Sequence, residues 1–156
     1  MPMQQAEREA LIAQYVAGPA TVVAALAGIT EAELDQRTDG WTAREIVHHL
    51  ADSEMTSAIR VRRLLAEDEP AIGGYDEETF ASRLHYGRRP ITAALDALSA
   101  ARRTTAELFD VMTEADWSRA GTHSESGRYS VEDWLRIYAT HAHDHAEQIR
   151  RARGGR

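Results

Sequence analysis

The chain has 156 residues, of which 43% are hydrophobic, so it can bury one substantial core but is short for two ordinary domains. We therefore treat residues 1–156 as a single domain. The net charge of -7, with arginines scattered among acids, argues against a nucleic-acid-binding protein, because such proteins present a clustered basic face to the phosphates. The chain contains no cysteine, so any metal ligands must be His, Asp or Glu.

Neither a membrane span nor an export signal is evident in the sequence. No apolar run approaches the roughly 20 residues that a membrane helix needs. Residues 1–7 lack the basic-then-apolar order of a signal peptide. We therefore expect a cytoplasmic protein that contacts neither membrane nor nucleic acid.

Apolar residues recur at intervals of three and four through most of the chain, which predicts an all-α domain. A first helix is predicted over residues 5–26. Thr42 and Glu45 form a capping box at the start of a second helix over residues 42–67, because the threonine hydroxyl and the glutamate can each satisfy a free backbone N–H.

The second half of the chain is predicted to be helical as well. Pro70 and a glycine pair interrupt the pattern, and a short acidic helix follows over residues 76–83. Pro90 opens a third long helix, and Ser130 caps the last one. Residues 118–129 are polar and contain two glycines, so they are predicted to form a long loop. No stretch alternates as a strand does, so we expect no sheet.

Five of the seven histidines lie in two clusters, His48-His49 and His141/His143/His145. Because each helical residue advances by about 100°, His141 and His145 fall on the apolar stripe of the last helix, whereas His143 falls opposite. Leaving two buried imidazoles unpartnered would cost on the order of 1–3 kcal/mol each. A metal ion would satisfy both, since i, i+4 spacing places two ring nitrogens beside one point. Core histidines that hydrogen-bond carbonyls or carboxylates are the alternative.

Periodicity does not decide between His48 and His49, which lie on opposite flanks of the apolar stripe of the second helix. The His49 flank is more typical of a site, because Ser53 and Arg60 would give it a polar lining. His48 is then expected to be a solvated neighbour. The two remaining histidines lie in loop-like surroundings and are expected to be exposed.

Two motifs resemble the DinB/YfiT-like superfamily of four-helix-bundle metalloproteins. They are Gly-Trp-Thr-Ala-Arg-Glu-Ile-Val-His-His-Leu-Ala-Asp-Ser-Glu at residues 40–54 and His-x-x-x-His-x-x-Gln-Ile at residues 141–149. The resemblance implies an all-α four-helix bundle that binds one divalent metal ion, zinc or nickel. In that pattern the histidine before Leu-Ala-Asp is a ligand, which implies His49, with His141 and His145 as the other two. Since related proteins commonly pair, it also implies a homodimer.

Residues 59–62, 69–72 and 75–77 resemble more particularly the YfiT branch of the superfamily, which includes bacillithiol S-transferases. The first functional hypothesis is therefore a transferase that joins a small-molecule thiol, of bacillithiol or mycothiol type, to an electrophile. In this hypothesis Ser53 lines the pocket and Arg60 holds a carboxylate of the thiol, since guanidinium groups form bidentate pairs.

Two other hypotheses keep the metal. Three neutral imidazoles leave the ion with its full charge and an open position, as in catalytic zinc sites. A metal-dependent hydrolase of a small amide or ester would use water there and need no thiol. A non-catalytic protein would use the ion mainly to tie two helices together.

Overall fold

Six α-helices make up most of residues 1–155, the part of the chain that this computed structural model describes. In chain order they are α1 (Gln5–Ala25), α2 (Glu31–Leu34), α3 (Ala43–Ala66), α4 (Glu77–Arg83), α5 (Thr92–Phe109) and α6 (Val131–Ala152). The four long helices form the bundle, in which α1 and α3 each pack against both α5 and α6. The predicted all-α four-helix bundle is confirmed. None of the helices within residues 1–155 combines the length and apolar character needed to cross a membrane.

Capping boxes fix where the two site-bearing helices begin. At α3, the Thr42 hydroxyl accepts from the backbone N–H of Glu45, whose carboxylate accepts from the N–H of Thr42. Ser130 and Asp133 make the same pair of bonds at α6. Because a cap of this kind contributes roughly 1 kcal/mol, both helices start within a residue of their predicted positions, and their histidines take definite places along them.

The expectation of no sheet is wrong. The stretch 118–129, predicted to be a loop, contains β2 (Ala120–His123) and most of β3 (Gly127–Ser130), which pair as an antiparallel hairpin. A two-residue strand, β1 (Ala71–Ile72), pairs in parallel with β2. Strands of two to four residues are too short to show a clear period of two, which is why the sequence pattern missed them.

Gly121 explains why the hairpin resembled a loop in sequence. A Cβ at this position would lie 2.2 Å from the carbonyl oxygen of Pro70, so only glycine allows the backbone of β2 to come this close to residue 70. Gly127 has a φ of 80°, the left-handed conformation at the hairpin turn. Both glycines therefore serve strand pairing, although a glycine in an isolated sequence indicates a turn or loop.

A buried ion pair ties the four long helices together. Arg102 Nε donates to Glu54 Oε2 at 2.8 Å, and both side chains are almost wholly buried, at 1% and 0% exposed. Tyr15 donates its hydroxyl to the same carboxylate, and Arg102 also donates to the backbone oxygens of Tyr15 and Tyr138. Since these residues lie on α1, α3, α5 and α6, the network fixes the relative positions of the helices that carry the histidines.

Candidate metal centre

Helices α3 and α6 run antiparallel and carry the three candidate ligands. The imidazole of His49 on α3 lies against those of His141 and His145 on α6. Two turns further along α3, the carbonyl oxygen of Ser57 accepts from the indole of Trp134, which precedes the histidines on α6. The two helices therefore remain in contact beyond the histidines, and the site lies between rigid elements.

The three imidazoles converge on one point. One nitrogen from each of His49, His141 and His145 lies within 4.8 Å of the other two. Their ring centroids are 4.5–5.5 Å apart. Nitrogens bonded to one zinc ion in tetrahedral geometry lie about 3.4 Å apart, so small movements of these side chains, of about 1.5 Å or less in nitrogen separation, would bring them to coordination geometry.

Three of the ring nitrogens at this point lack partners within residues 1–155. Both nitrogens of His49 and Nδ1 of His141 are buried and make no hydrogen bond. Each such atom costs on the order of 1–3 kcal/mol when it is left unsatisfied. A cation at the point of convergence would engage a nitrogen on each ring, so the donor set fits a divalent metal ion.

His145 is oriented by a neighbour on its own helix. Its Nδ1 lies 2.7 Å from Oε1 of Gln148, so Nδ1 donates to the amide oxygen. The lone pair of the ring is then at Nε2, which is free to act as a ligand. Metal-binding histidines commonly have an outer partner of this kind, which sets both the tautomer and the ring orientation.

Burial keeps two of these histidines neutral. Together with a smaller contribution from the nearby His145, it lowers the pKa of His49 to about 4. Burial likewise lowers the pKa of His141 to about 3, with smaller contributions from His145, His49 and Arg102. Both rings are therefore uncharged at neutral pH, as a metal ligand must be.

Trp41 borders the centre. Its ring lies 4.9 Å from that of His49, centroid to centroid, and its indole N–H donates to Glu78 at the start of α4. The indole thus holds an aromatic surface beside His49. In sequence, Trp41 belongs to the motif of residues 40–54, and no local pattern places it beside a histidine.

The two predicted pocket residues, Ser53 and Arg60, follow the histidines along α3. Ser53 is one turn after His49 and is buried. Arg60 does not contact the imidazoles; it donates to the hydroxyl of Tyr138 at 3.0 Å and to the backbone oxygen of Gly73 at 2.7 Å. Arg60 therefore reaches α6 one turn from His141, at Tyr138, whose ring also lies 5.7 Å from that of His141, centroid to centroid. In sequence, Tyr138 shows only the helical spacing of a core residue, so nothing there pointed to a place beside the site.

Two expectations about other histidines are wrong. His48 is not solvated: it is 2% exposed, bonds the carbonyl oxygen of Arg89 through Nε2, and stacks on Tyr86. His123 is also buried, and its Nδ1 accepts from the backbone N–H of Glu125. Both are satisfied by contacts between distant segments or within the hairpin, which helical periodicity does not reveal.

The fold and the site together place this chain among helical-bundle proteins in which three histidines converge. The chain belongs to the DinB superfamily, which it matches over residues 14–149. It is similar to the proposed metal-dependent hydrolase YfiT of Bacillus subtilis, with 32% identity over 84% of this chain and 75% of that protein. The proposed metal-dependent hydrolase OB0782 of Oceanobacillus iheyensis is 35% identical over 72% of this chain, which spans 65% of that relative's length.

The solved structure of Bacillus subtilis YfiT has the same fold. It superposes with a TM-score of 0.89 and 28% sequence identity, covering 97% of this chain and 90% of that one. That structure is described as an unusual four-helix bundle and as a proposed metal-dependent hydrolase. The predicted family is therefore confirmed.

Proposed function

We propose that this protein is a metal-dependent enzyme that joins a low-molecular-weight thiol to an electrophilic small molecule. The ion, zinc or nickel, is held by His49, His141 and His145. The observation that carries the proposal is the donor set, which consists of three convergent imidazoles, two of which have buried, unpartnered nitrogens. A divalent cation held by neutral ligands keeps its full charge, and it lowers the pKa of a coordinated thiol or water.

The character of the donor set favours a thiol over water. Zinc hydrolases of the H-E-x-x-H type place a glutamate beside the metal as general base. Within residues 1–155 the converging donor group contains no carboxylate. Glu54, the buried acid that follows His49 on α3, is bonded by Arg102 and Tyr15. A thiol that coordinates a cation loses its proton outright and needs no such base.

The protein's own residues then bind and orient the reactants. The chain has no cysteine, so the thiol is a substrate, of bacillithiol or mycothiol type. The buried imidazole of His49 and the indole of Trp41 beside it limit water on that side of the reacting atoms. In the reaction a carbon–sulfur bond forms, the leaving group departs with the electron pair of its broken bond, and the thiol proton passes to solvent.

Hydrolysis of a small amide or ester is the second candidate. The names of the Bacillus subtilis and Oceanobacillus iheyensis relatives favour it. It predicts product without added thiol. A non-catalytic role, in which the ion ties α3 to α6, predicts instead a chelator-sensitive melting temperature and no turnover on any substrate.

Metal analysis with a turnover assay tests the proposal. We expect one zinc or nickel ion per chain, lost in His49→Ala and His145→Ala but retained in His143→Ala, whose ring lies outside the donor group and bonds the carbonyl oxygen of Gln14. The loaded protein is incubated with monochlorobimane and bacillithiol, mycothiol or glutathione. Conjugation above the rate of the His49→Ala variant supports S-transfer, and the absence of turnover with every thiol contradicts it.

The proposal includes a homodimer. Size-exclusion chromatography with light scattering tests this point, and a mass of one chain at micromolar concentration would contradict it. Catalysis and pairing are separate parts of the proposal, because all three candidate ligands come from one chain.

A further inference from the structure

A second group of unsatisfied polar atoms lies near the metal centre. Nε of Arg60 and the hydroxyls of Tyr75 and Tyr129 are all buried, and none makes a hydrogen bond of ordinary length and angle within residues 1–155. Arg60 lies near enough to Tyr129, and Ser53 near enough to Tyr75, to donate weakly to those hydroxyl oxygens, which leaves both tyrosine O–H groups without an acceptor. We refer to these three residues, with Tyr138, as the Arg-Tyr cluster. Buried polar groups in native proteins are nearly always paired, so three orphaned donors in one neighbourhood indicate a ligand.

The Arg-Tyr cluster continues the metal centre along the interface of α3 and α6. The ring of Tyr138 lies 5.7 Å from that of His141, centroid to centroid. On its far side, the hydroxyl of Tyr138 accepts from Nη1 of Arg60. Only one aromatic ring therefore separates the guanidinium from the candidate ligands.

The other two tyrosines face the same guanidinium. Arg60 lies near enough to Tyr75 and Tyr129 to lower their pKa values, although burial raises both by more. Burial raises the pKa of Tyr75 to about 12, while Ser53 acts in the opposite direction. Both hydroxyls stay protonated at neutral pH, and each keeps an O–H to donate.

We propose that the Arg-Tyr cluster binds a carboxylate of the substrate, so that the enzyme acts on a carboxylate-bearing small molecule. This inference rests on the proposed function, which places the reacting atoms at the histidines. The cluster provides one N–H and two O–H donors, whereas a carboxylate has two oxygens and accepts bonds at about four positions. Donors that no protein group satisfies are then satisfied by the ligand.

Charge favours a carboxylate over a phosphate. Arg60 supplies one positive charge, and Glu54 and Glu77 lie near enough to raise the pKa of Tyr138. A single carboxylate balances the guanidinium. A phosphate monoester, with a charge of about −1.5 to −2 at pH 7, would add uncompensated negative charge beside Glu77, whereas the charge of Glu54 is already balanced by Arg102.

A surface cavity gives access to Arg60. It has a volume of about 410 Å³ and is lined by Arg60, Ile72 and Gly73 among others. Nη2 of Arg60 bonds the backbone oxygen of Gly73, so the segment after β1 covers part of the guanidinium. A small anion can approach from this side without opening the bundle.

Binding by the zinc-loaded protein is measured with succinate as probe, by NMR titration of the Arg60 Nε–H resonance. We expect a shift that saturates with succinate but not with the uncharged succinamide. Arg60→Gln should raise the Kd for succinate by about tenfold or more, the loss typical of a charged hydrogen bond. Arg103→Gln is the control, since it removes an equal charge from an exposed residue of α5 that does not line this cavity. The inference would be overturned if succinate and succinamide bound equally well, or if inorganic phosphate bound more tightly than succinate. It would also be overturned if the Kd of Arg60→Gln for succinate lay within twofold of that of the parent.

Tyr129→Phe distinguishes a ligand-binding hydroxyl from a structural one. Because the hydroxyl of Tyr129 is buried without a partner, its removal should leave the melting temperature of the ligand-free protein unchanged or higher. The same substitution should weaken succinate binding several-fold. A lower melting temperature together with an unchanged Kd would show that the hydroxyl is structural and refute its assignment to the Arg-Tyr cluster.

Turnover identifies the source of the carboxylate. In one arm, N-acetylcysteine and its amide compete as thiols for iodoacetamide. In the other, iodoacetate and iodoacetamide compete as electrophiles for N-acetylcysteine amide. In either arm, a higher kcat/KM for the carboxylate-bearing compound that Arg60→Gln abolishes assigns the carboxylate to that reactant, the thiol or the electrophile. If turnover is present but neither arm shows such a preference, the inference is contradicted. Succinate binding without turnover would instead contradict the proposed function and leave the carboxylate site standing.

Discussion

Acid should destabilise the metal-free protein through its buried histidines. Burial lowers the pKa of His49 to about 4 and that of His141 to about 3, from 6.5 for both. The unfolded chain therefore binds protons that the folded chain refuses, and stability falls as pH falls below 6.5. Each ring costs about 1.4 kcal/mol per pH unit well below that value, so between about pH 7.5 and about pH 5 each should cost about 2 kcal/mol, or about 4 for the pair.

Urea unfolding followed by circular dichroism, with a chelator present, measures this loss. The double variant His49→Gln/His141→Gln should lack most of the pH dependence, because neither amide titrates. His85→Gln is the matched control, since this side chain is exposed and its removal leaves the buried rings intact. An identical loss of unfolding free energy in the parent and the double variant would refute the reasoning.

Three further predictions concern residues around the centre. Gln148→Ala should lower metal affinity by about 10–100-fold in a chelator competition, since the amide orients His145. Glu54→Gln should lower the free energy of unfolding by about 3–5 kcal/mol in urea, because it leaves the buried Arg102 without a counter-charge. Gly18→Ala should lower the melting temperature, since a Cβ would lie 2.5 Å from Nη1 of Arg102, and overpacking of this kind costs about 1–3 kcal/mol.

Each of these predictions has a matched control. Glu147→Ala changes an exposed neighbour on α6 and should keep the metal affinity. Glu67→Gln breaks an exposed ion pair and should have little effect on unfolding. Gly87→Ala adds a Cβ with no atom within 4 Å. Unaltered metal affinity in Gln148→Ala, or a more stable Gly18→Ala, would show that the named contact does not act as described.

The helices that carry the centre were predictable because their signals are local. The Thr42–Glu45 and Ser130–Asp133 capping boxes and the apolar stripes involve residues within a few positions of one another, and the structure places α3 and α6 accordingly. The i, i+4 pair His141 and His145 is likewise a property of one helix. Its two rings lie 4.5 Å apart because the helical repeat brings them together.

The choice between His48 and His49 needed the tertiary fold. Both flank the same stripe of α3, and periodicity gives them equal standing. The structure decides between them because α6 packs on the His49 side, while His48 meets the carbonyl oxygen of Arg89 on the other. That packing brings together residues roughly ninety positions apart, and no spacing rule relates them.

What the sequence determined by itself is the four long helices and α4, the starts of α3 and α6, and the histidines available as ligands, because hydrophobic periodicity and capping act over a few residues. The four-residue helix α2 was not predicted. Only the tertiary structure decided that the three imidazoles converge, that Arg60 reaches Tyr138 beside them, and that the 118–129 segment pairs as strands. Those features depend on contacts between distant segments. They arise when the bundle buries its apolar faces and brings those segments within a few ångströms of each other.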